Sequence, residues 1–249
     1  MNPSVSIIIP AYRSKWTLKE SVGSALNGTF RDIEVIVVHD SPNDGSEPFL
    51  KKLQAADARV TVLRITENIG VAEARNRGIA ASHGAWIAFL DSDDLWEPDK
   101  LEKQLKKAEE TGASLVYSAA ACIDKTGALT GKVFHVPETV TADGLLFGND
   151  VVTSTVLVRR DVYLRHPMDR SDLHEDLICW YQLLKDGAKA VGIDEPLVRY
   201  RVSGGSKSGN KWRSARMTWQ SYRYLGVGFF RRCARFFGYC LHGVKRYWL

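Results

Sequence analysis

Two carboxylates stand two residues apart in Asp91-Ser92-Asp93, directly after the apolar run at residues 85–90 (AWIAFL). At the end of a strand, that spacing lets both share one hard divalent cation. Mg²⁺ and Mn²⁺ prefer oxygen ligands and keep water and substrate phosphates in their shell. The same residues would also cap a following helix, and the pair alone does not separate the two readings. Asp94 suits capping or support better than ligation. A second carboxylate pair, Glu175-Asp176, opens a helical stretch with Asp172 and His174 just upstream. Acidic groups there balance the positive end of a helix, and a carboxylate so placed can also accept a proton.

The elements that must hold these groups are legible as alternating periods. Residues 5–10 (VSIIIP), 33–38 (IEVIVV), 60–65 (VTVLRI), 85–90 and 114–118 (SLVYS) are short strand-like runs. Helical stretches separate them: one after residue 10 with Thr17 and Glu20 spaced as a capping box, one at 70–82 and one at 98–111. Near-continuous apolar strands joined by helices predict a mostly parallel sheet covered on both faces. Right-handed crossovers make it a doubly wound α/β fold, which binds ligands at the carboxyl ends of its strands. At those ends stand Pro10-Ala11-Tyr12, His39-Asp40 and Asp91-Ser92-Asp93. The second half is mixed: a hairpin at 123–136 with turn chemistry at 124–127 and 129–131, a strand at 153–159, a helix at 174–186 and an extended segment at 189–201. Neither G-x-G-x-x-G after the first strand nor a G-x-x-x-x-G-K-[ST] loop occurs, which argues against dinucleotide and P-loop sites.

Five segments in order, 6–13 (SIIIPAYR), 35–46 (VIVVHDSPNDGS), 68–78 (NIGVAEARNRG), 89–96 (FLDSDDLW) and 174–180 (HEDLICW), resemble the family 2 glycosyltransferases of the GT-A fold, and 199–208 (RYRVSGGSKS) resembles a sixth motif. The resemblance implies an inverting glycosyltransferase, a hexosyl- or N-acetylhexosaminyltransferase. It would move a sugar from a UDP-sugar to a hydroxyl of a lipid-linked, lipopolysaccharide- or capsule-type glycan. It further implies that Pro10, Ala11 and Tyr12 pack around the nucleotide, that Asp40 accepts from the N3–H of uracil, and that Arg75 with Asn76 contacts the nucleotide or its diphosphate. Asp91 would touch the ribose or the metal, with Ser92 beside it, and Asp93 would ligate Mn²⁺ or Mg²⁺. Asp176 would be the general base, supported by Glu175. His39 replaces a common second Asp and reads best as a strand-end histidine, Pro42 alters the turn after it, and Ser203 stands where a metal-binding His is common. Lys207, with Ser206 and Ser208, would contact the diphosphate. The expected layout is a catalytic domain over 1–208, with a nucleotide-sugar half (1–120) and an acceptor half (121–208), and a tail over 209–249.

That tail changes the meaning of the charge. The chain has 34 Lys+Arg against 29 Asp+Glu, a net of +5, but residues 207–249 hold ten basic and no acidic residues, leaving a net of −5 for the rest. From Tyr222 on, helical periodicity puts Phe229, Cys233, Phe236, Phe237, Cys240, Val244 and Trp248 on one face. Arg231, Arg232, Arg235, His242, Lys245 and Arg246 fall on the other. A basic face opposite an aromatic one suits an anionic membrane surface; the alternative is that the apolar face docks on the enzyme body. Gly226, Gly228, Gly238 and Gly243 count against a rigid helix in water. No apolar run reaches the roughly 18–20 residues of a spanning helix, the N-terminus does not read as a signal peptide, and four scattered cysteines fit a reducing compartment. The expectation is a cytoplasmic enzyme, peripheral on the inner face of the plasma membrane, with no nucleic-acid partner; nothing in the sequence sets the oligomeric state. The competing readings are a nucleotidyltransferase and a catalytically inactive glycan or nucleotide-sugar binding module.

Overall fold

The computed structural model describes residues 2–41, 44–202 and 211–248, with side chains omitted at 211 and 245–248. The chain runs β1 (Val5–Ala11), α1 (Leu18–Leu26), β2 (Ile33–His39), α2 (Glu47–Ala56), β3 (Val60–Arg64), α3 (Val71–Ala80) and β4 (Trp86–Phe89). It continues with β5 (Leu95–Trp96), α4 (Lys100–Thr111), β6 (Leu115–Ile123), β7 (Leu129–Phe134), α5 (Ala142–Leu145), a single 3₁₀ turn (Thr153–Thr155), β8 (Leu157–Arg159), α6 (Arg160–Tyr163), α7 (Glu175–Lys185), β9 (Ala190–Arg201), α8 (Lys211–Tyr224) and α9 (Phe229–Trp248).

One sheet of order β3-β2-β1-β4-β8-β6-β9-β5 spans the molecule, with β7 on β6. The first four strands are parallel, as the pattern of runs and helices predicts. Beyond β4 the sheet is mixed. β8 is antiparallel to both β4 and β6, β6 and β9 are parallel, and short β5 pairs antiparallel with β9. The register brings strand ends level: Ala11 lies opposite His39, and Ile8 opposite Phe89. Tyr12, Asp40 and Asp91 therefore leave the sheet at one edge.

Burial on both faces explains the continuous apolar runs. Ile8, Ile36, Val38 and Phe89 lie in one core with Trp180, Tyr163 and Tyr222. Ile7, Ile9, Val35 and Val37 lie in the other with Leu18, Leu50 and Leu101.

Three local expectations are corrected. Thr17 makes no side-chain cap to α1; its hydroxyl turns back to the Ser14 carbonyl, and Glu20 pairs with Arg201 instead. Residues 153–155 form a 3₁₀ turn rather than strand, because Thr155 N–H and Val156 N–H bond back to the Val152 and Thr153 carbonyls. Residues 129–131 belong to β7, and Asp124 alone closes the hairpin, its carboxylate accepting from Thr126 and Ala128 amides.

The tail also differs in which face it turns inward. Arg231 and Arg235 both reach Asp143, Arg232 lies over the Trp219 ring at 4.7 Å, and His242 Nε2 is 2.9 Å from Asp150. Phe236 packs inward, stacked on Tyr239. Phe230, Phe237, Leu241 and Val244 are left exposed, at 86%, 67%, 57% and 54%. Neither simple docking of the apolar face nor a free basic face describes this helix. Gly226, at φ +70, breaks α8 from α9, whereas Gly238 lets the helix rest directly on the Phe147 ring. Among the described residues, no helix is long and apolar enough to cross a membrane.

Gly78 sets the seat of α3 on the sheet. A Cβ there would stand 2.7 Å from Ile8 Cγ2 and 3.0 Å from Val38 Cγ2. Gly78→Ala is expected to lift α3, costing about 1–3 kcal/mol of packing strain, only partly offset by helix propensity. A lowered midpoint in thermal or urea unfolding checks it; an unchanged or raised midpoint contradicts the seat.

Candidate active site

The site is organised around Arg75. Its helix begins at Gly70, whose φ of +80 turns the chain into α3, and Ser171 Oγ accepts from the Ala72 amide at 3.0 Å. One turn on, Arg75 is only 3% exposed. Its Nη2 donates to Asp91 Oδ1 at 2.6 Å and its Nη1 to Glu175 Oε1 at 3.1 Å. Burial works against the cation, but Asp91 and Glu175 outweigh it and hold its pKa above the ordinary arginine value. One guanidinium thus joins the two carboxylate pairs, which are 84 residues apart in sequence. Its Nη groups are engaged by protein carboxylates, which makes it a clamp on the site.

Asp91, Asp93 and Asp94 occupy three different environments. Asp94 is buried as an anchor: Ser154 Oγ donates to its Oδ2 at 2.6 Å, and the Arg201 amide to its Oδ1 at 2.8 Å. Burial, then Asp93 and Asp91, push its carboxyl well above the ordinary range. Ser154 Oγ also accepts from the Asp91 amide at 3.0 Å, so the 3₁₀ turn fixes the loop at both ends. Arg201 secures it from below. Its Nε donates to the Asp93 carbonyl at 2.8 Å, its Nη1 to the carbonyls of Asp124 and Lys125, and its Nη2 to Glu20. Asp93 itself is pushed up to about 6, by burial and then by Asp91. Two carboxylates crowded at a strand end, one of them reluctant to ionise, are an oxygen donor set that suits a hard cation. Among the described residues no group of three or more His, Cys, Asp or Glu is placed to hold a metal. Of the described residues, Asp93 and Asp91 are the two that could hold one, with water and a diphosphate completing its shell. Ser92 lies half-buried between them.

At the other strand ends, Asp40 is buried, accepts from the Ile69 amide, and has its carboxyl raised by burial. Its own amide donates to the Ala11 carbonyl at 3.3 Å, joining it to the Pro10-Ala11-Tyr12 turn. Tyr12 is 45% exposed with the Arg13 guanidinium 5.2 Å from its ring centroid. An exposed ring face beside a buried acceptor is suited to a heteroaromatic base. His39 is buried with Nε2 3.3 Å from Asp44, as befits a strand-end histidine. Pro42, Ser203, Ser206, Lys207 and Ser208 lie outside the described residues.

Asp176 is half-buried at the start of α7. Asn149 Nδ2 and Thr153 Oγ1 donate to its Oδ2 at 3.3 and 3.4 Å, and the Leu177 amide to its Oδ1 at 2.7 Å. Asn76 turns elsewhere than expected. Its Nδ2 donates to the Met168 carbonyl at 2.6 Å and its Oδ1 accepts from Tyr163 O–H at 3.0 Å, so both ends of its amide tie α3 to the 163–168 segment. Arg201, Ser154 and Asn149 escaped the sequence reading because their roles arise from residues 60 to 181 positions away, or 27 for Asn149.

The raised Asp93 carboxyl has a measurable cost. The folded chain binds its proton more tightly than the unfolded chain, whose carboxyl titrates near 3.8. The associated stability is present below pH 3.8 and lost as pH rises through about 6. Asp93→Asn is therefore expected to stabilise the metal-free protein at pH 7–8 by about 1–2 kcal/mol, a gain that vanishes towards pH 4. Thermal unfolding across pH checks it; a destabilised variant at pH 8 contradicts the crowding.

Comparison with known proteins agrees with this architecture. Residues 6–163, more than half the chain, match the family described as Glycosyl transferase family 2. A putative teichuronic acid biosynthesis glycosyltransferase, TuaG, of Bacillus subtilis is 34% identical over 245 residues, covering 98% of this chain and 97% of the relative. The Escherichia coli UDP-Glc:alpha-D-GlcNAc-diphosphoundecaprenol beta-1,3-glucosyltransferase WfaP is 31% identical over 243 residues, covering 98% and 95%. Among solved structures, S. aureus TarS 1-349 in complex with UDP superposes with a TM-score of 0.69 at 16% identity, covering 98% of this chain and 72% of that one. The Pyrobaculum calidifontis mannosyltransferase PcManGT, in complex with GDP-Man and Mn²⁺, gives 0.70 at 17% identity, covering 96% and 69%. The fold is GT-A, and with the family match and near-full-length relatives above 30% identity, the chain belongs to the family 2 glycosyltransferases.

Proposed function

We propose that this enzyme transfers a hexosyl or N-acetylhexosaminyl group from a UDP-sugar to a hydroxyl of a lipid-linked glycan, with inversion and in a single displacement. The observation that carries it is the Arg75 bridge, which brings Asp91 of the donor-side loop and Glu175, next to the base, onto one buried cation. The E. coli relatives named for UDP-Glc and GlcNAc-diphosphoundecaprenol support the donor and acceptor classes. TarS complexes with UDP and UDP-GlcNAc support a UDP-sugar as well.

Asp40 and the Pro10-Ala11-Tyr12 turn receive the uracil, and Lys207 is assigned to the diphosphate. Asp93, with Asp91, would hold Mn²⁺ or Mg²⁺, which when bound offsets the charge gathering on the departing UDP. Asp176 removes the proton of the acceptor hydroxyl as its oxygen bonds to the anomeric carbon, while the bond from that carbon to UDP breaks on the opposite face. Glu175, fixed by Arg75, holds the start of α7 so that its neighbour points at the acceptor. UDP release from a panel of UDP-sugars, with and without Mn²⁺, tests the reading. Asp93→Ala is expected to abolish Mn²⁺-dependent turnover and UDP binding. Asp176→Asn is expected to keep UDP binding and lose transfer by at least about 100-fold. Metal-independent, undiminished transfer by the first variant sinks the metal assignment, and near-normal transfer by the second sinks the base. Release of pyrophosphate rather than UDP would point to a nucleotidyltransferase, and no release at all to a binding module.

An enzyme acting on a lipid-linked acceptor would work at the cytoplasmic face of the membrane, and α9 is the element that would meet it. Its exposed stripe is Phe230, Phe237, Leu241 and Val244, within a segment of ten basic and no acidic residues. That charge complements an anionic leaflet and opposes pairing with a second copy of itself. Because Tyr222 and Val227 lie in the main core, truncation of the tail is the wrong test. Paired Phe237→Asp and Leu241→Asp substitutions are expected to cut sedimentation with anionic vesicles about tenfold or more without lowering the unfolding midpoint. Unchanged binding removes the membrane contact, and self-association of the wild type lost in the variant assigns the stripe to a second copy.

A further inference from the structure

The segment from Asp143 to Asp150 is gripped along its length by the C-terminal helices. Asp143 takes both Arg231 and Arg235. The Leu146 carbonyl accepts from Tyr222 O–H at 2.5 Å. The Phe147 ring lies 4.1 Å from the Arg235 guanidinium and directly against Gly238, where a Cβ would collide with it. Gly148 sits under the His242 imidazole with no room for a side chain, and Asp150 Oδ1 is 2.9 Å from His242 Nε2. Between Gly148 and Asp150, Asn149 turns into the active site. Its Oδ1 accepts from the Val151 amide at 3.1 Å, which directs its Nδ2 to Asp176 Oδ2 at 3.3 Å. A second connection from α9 reaches the start of α7, the helix that carries Asp176. Tyr239 O–H is 3.1 Å from Ser214 Oγ, and the Ser214 carbonyl is 3.2 Å from Nε2 of His174, the residue that opens α7.

We propose that Asn149 is a positioning residue for the base, and that α9, by gripping residues 143–150, holds it in place. The C-terminal helix is then part of the catalytic apparatus. This inference rests on the assignment of Asp176 as base. A carboxylate that must meet a hydroxyl proton within hydrogen-bond reach gains from having one oxygen tethered, since displacement by about 1 Å can cost about 100-fold in rate. Asn149 contributes to rate through that tether and does not itself touch donor or acceptor, so its loss lowers kcat and leaves donor KM alone.

The test uses the full chain with the UDP-sugar and acceptor that support UDP release. Asn149→Ala is expected to lower kcat about 10- to 100-fold, with donor KM within about twofold and an unfolding midpoint near wild type. His242→Ala, which touches only the grip, is expected to shift kcat in the same direction by a smaller factor of about 3–10. In the Asp176→Asn background, Asn149→Ala is expected to add no further loss, because a residue that acts through Asp176 has nothing left to position. If Asn149→Ala does not fold, Asn149→Asp, nearly isosteric, exchanges a donor for an acceptor and is expected to lower kcat at least as far. An inactive Asp176→Asn alongside a wild-type kcat in the Asn149 variants, or full multiplication of the two effects, overturns the positioning role alone. Near-normal turnover by Asp176→Asn overturns the base assignment and this inference with it.

Discussion

A buried guanidinium held by two carboxylates from distant parts of the chain is the constraint on which the site depends. Arg75 is buried on α3, Asp91 follows β4, and Glu175 begins α7. Taking a cation out of water is costly unless it is paired, and breaking such a pair leaves an uncompensated buried charge. The three elements must therefore dock together for any one of them to be placed. Gly70 and Gly78, which set the start and seat of α3, and Asn76, which ties it to Met168 and Tyr163, all serve the position of that one side chain.

The same logic divides the work among the aspartates after β4. Asp94 serves structure, locked by Ser154 and the backbone of β9, and so closes the loop that presents Asp91 and Asp93. Asp91 is half committed, one oxygen on Arg75. Asp93 carries a net cost of burial beside another carboxylate, only partly offset by a backbone hydrogen bond and Arg201, which makes it the group a cation would relieve. Arg201 touches the Asp93 carbonyl rather than its carboxylate, and so holds the loop while offsetting only part of the acid's crowding.

Much of this frame is written in local patterns. Strands buried on both faces need apolar residues at every position, so β1, β2 and β4 stand out as runs, and their ends locate Tyr12, Asp40 and Asp91. Elements set by tertiary contacts do not stand out. α2 buries only Leu50 fully, with Phe49 and Leu53 half-buried, a short stripe, and β5 is two residues long, held by pairing to β9. Thr17 and Glu20 have capping spacing, but Glu20 is drawn to Arg201, 181 residues away. The candidate site is legible where a residue type suggests its chemistry, as with Asp93 and Asp176, whose roles are proposals. It is not where an ordinary residue acts by position, as with Ser154, Asn149 and the backbone-clamping Arg201.

The tail shows how a helical wheel can find two faces and still leave their orientation open. Its period separates arginines from aromatics, but which side turns inward depends on what the body offers. The body offers acid: Asp143 and Asp150 lie where α9 lands, and they draw Arg231, Arg235 and His242 inward. The apolar residues then face out because the opposite face is already engaged. A net charge of +5 thus conceals an internal match, in which part of a +10 segment is held against acidic groups of a −5 body. Those acidic groups sit in the segment that carries Asn149 to Asp176. The electrostatic attraction that docks the tail therefore acts on the same stretch of chain that reaches Asp176, the proposed base.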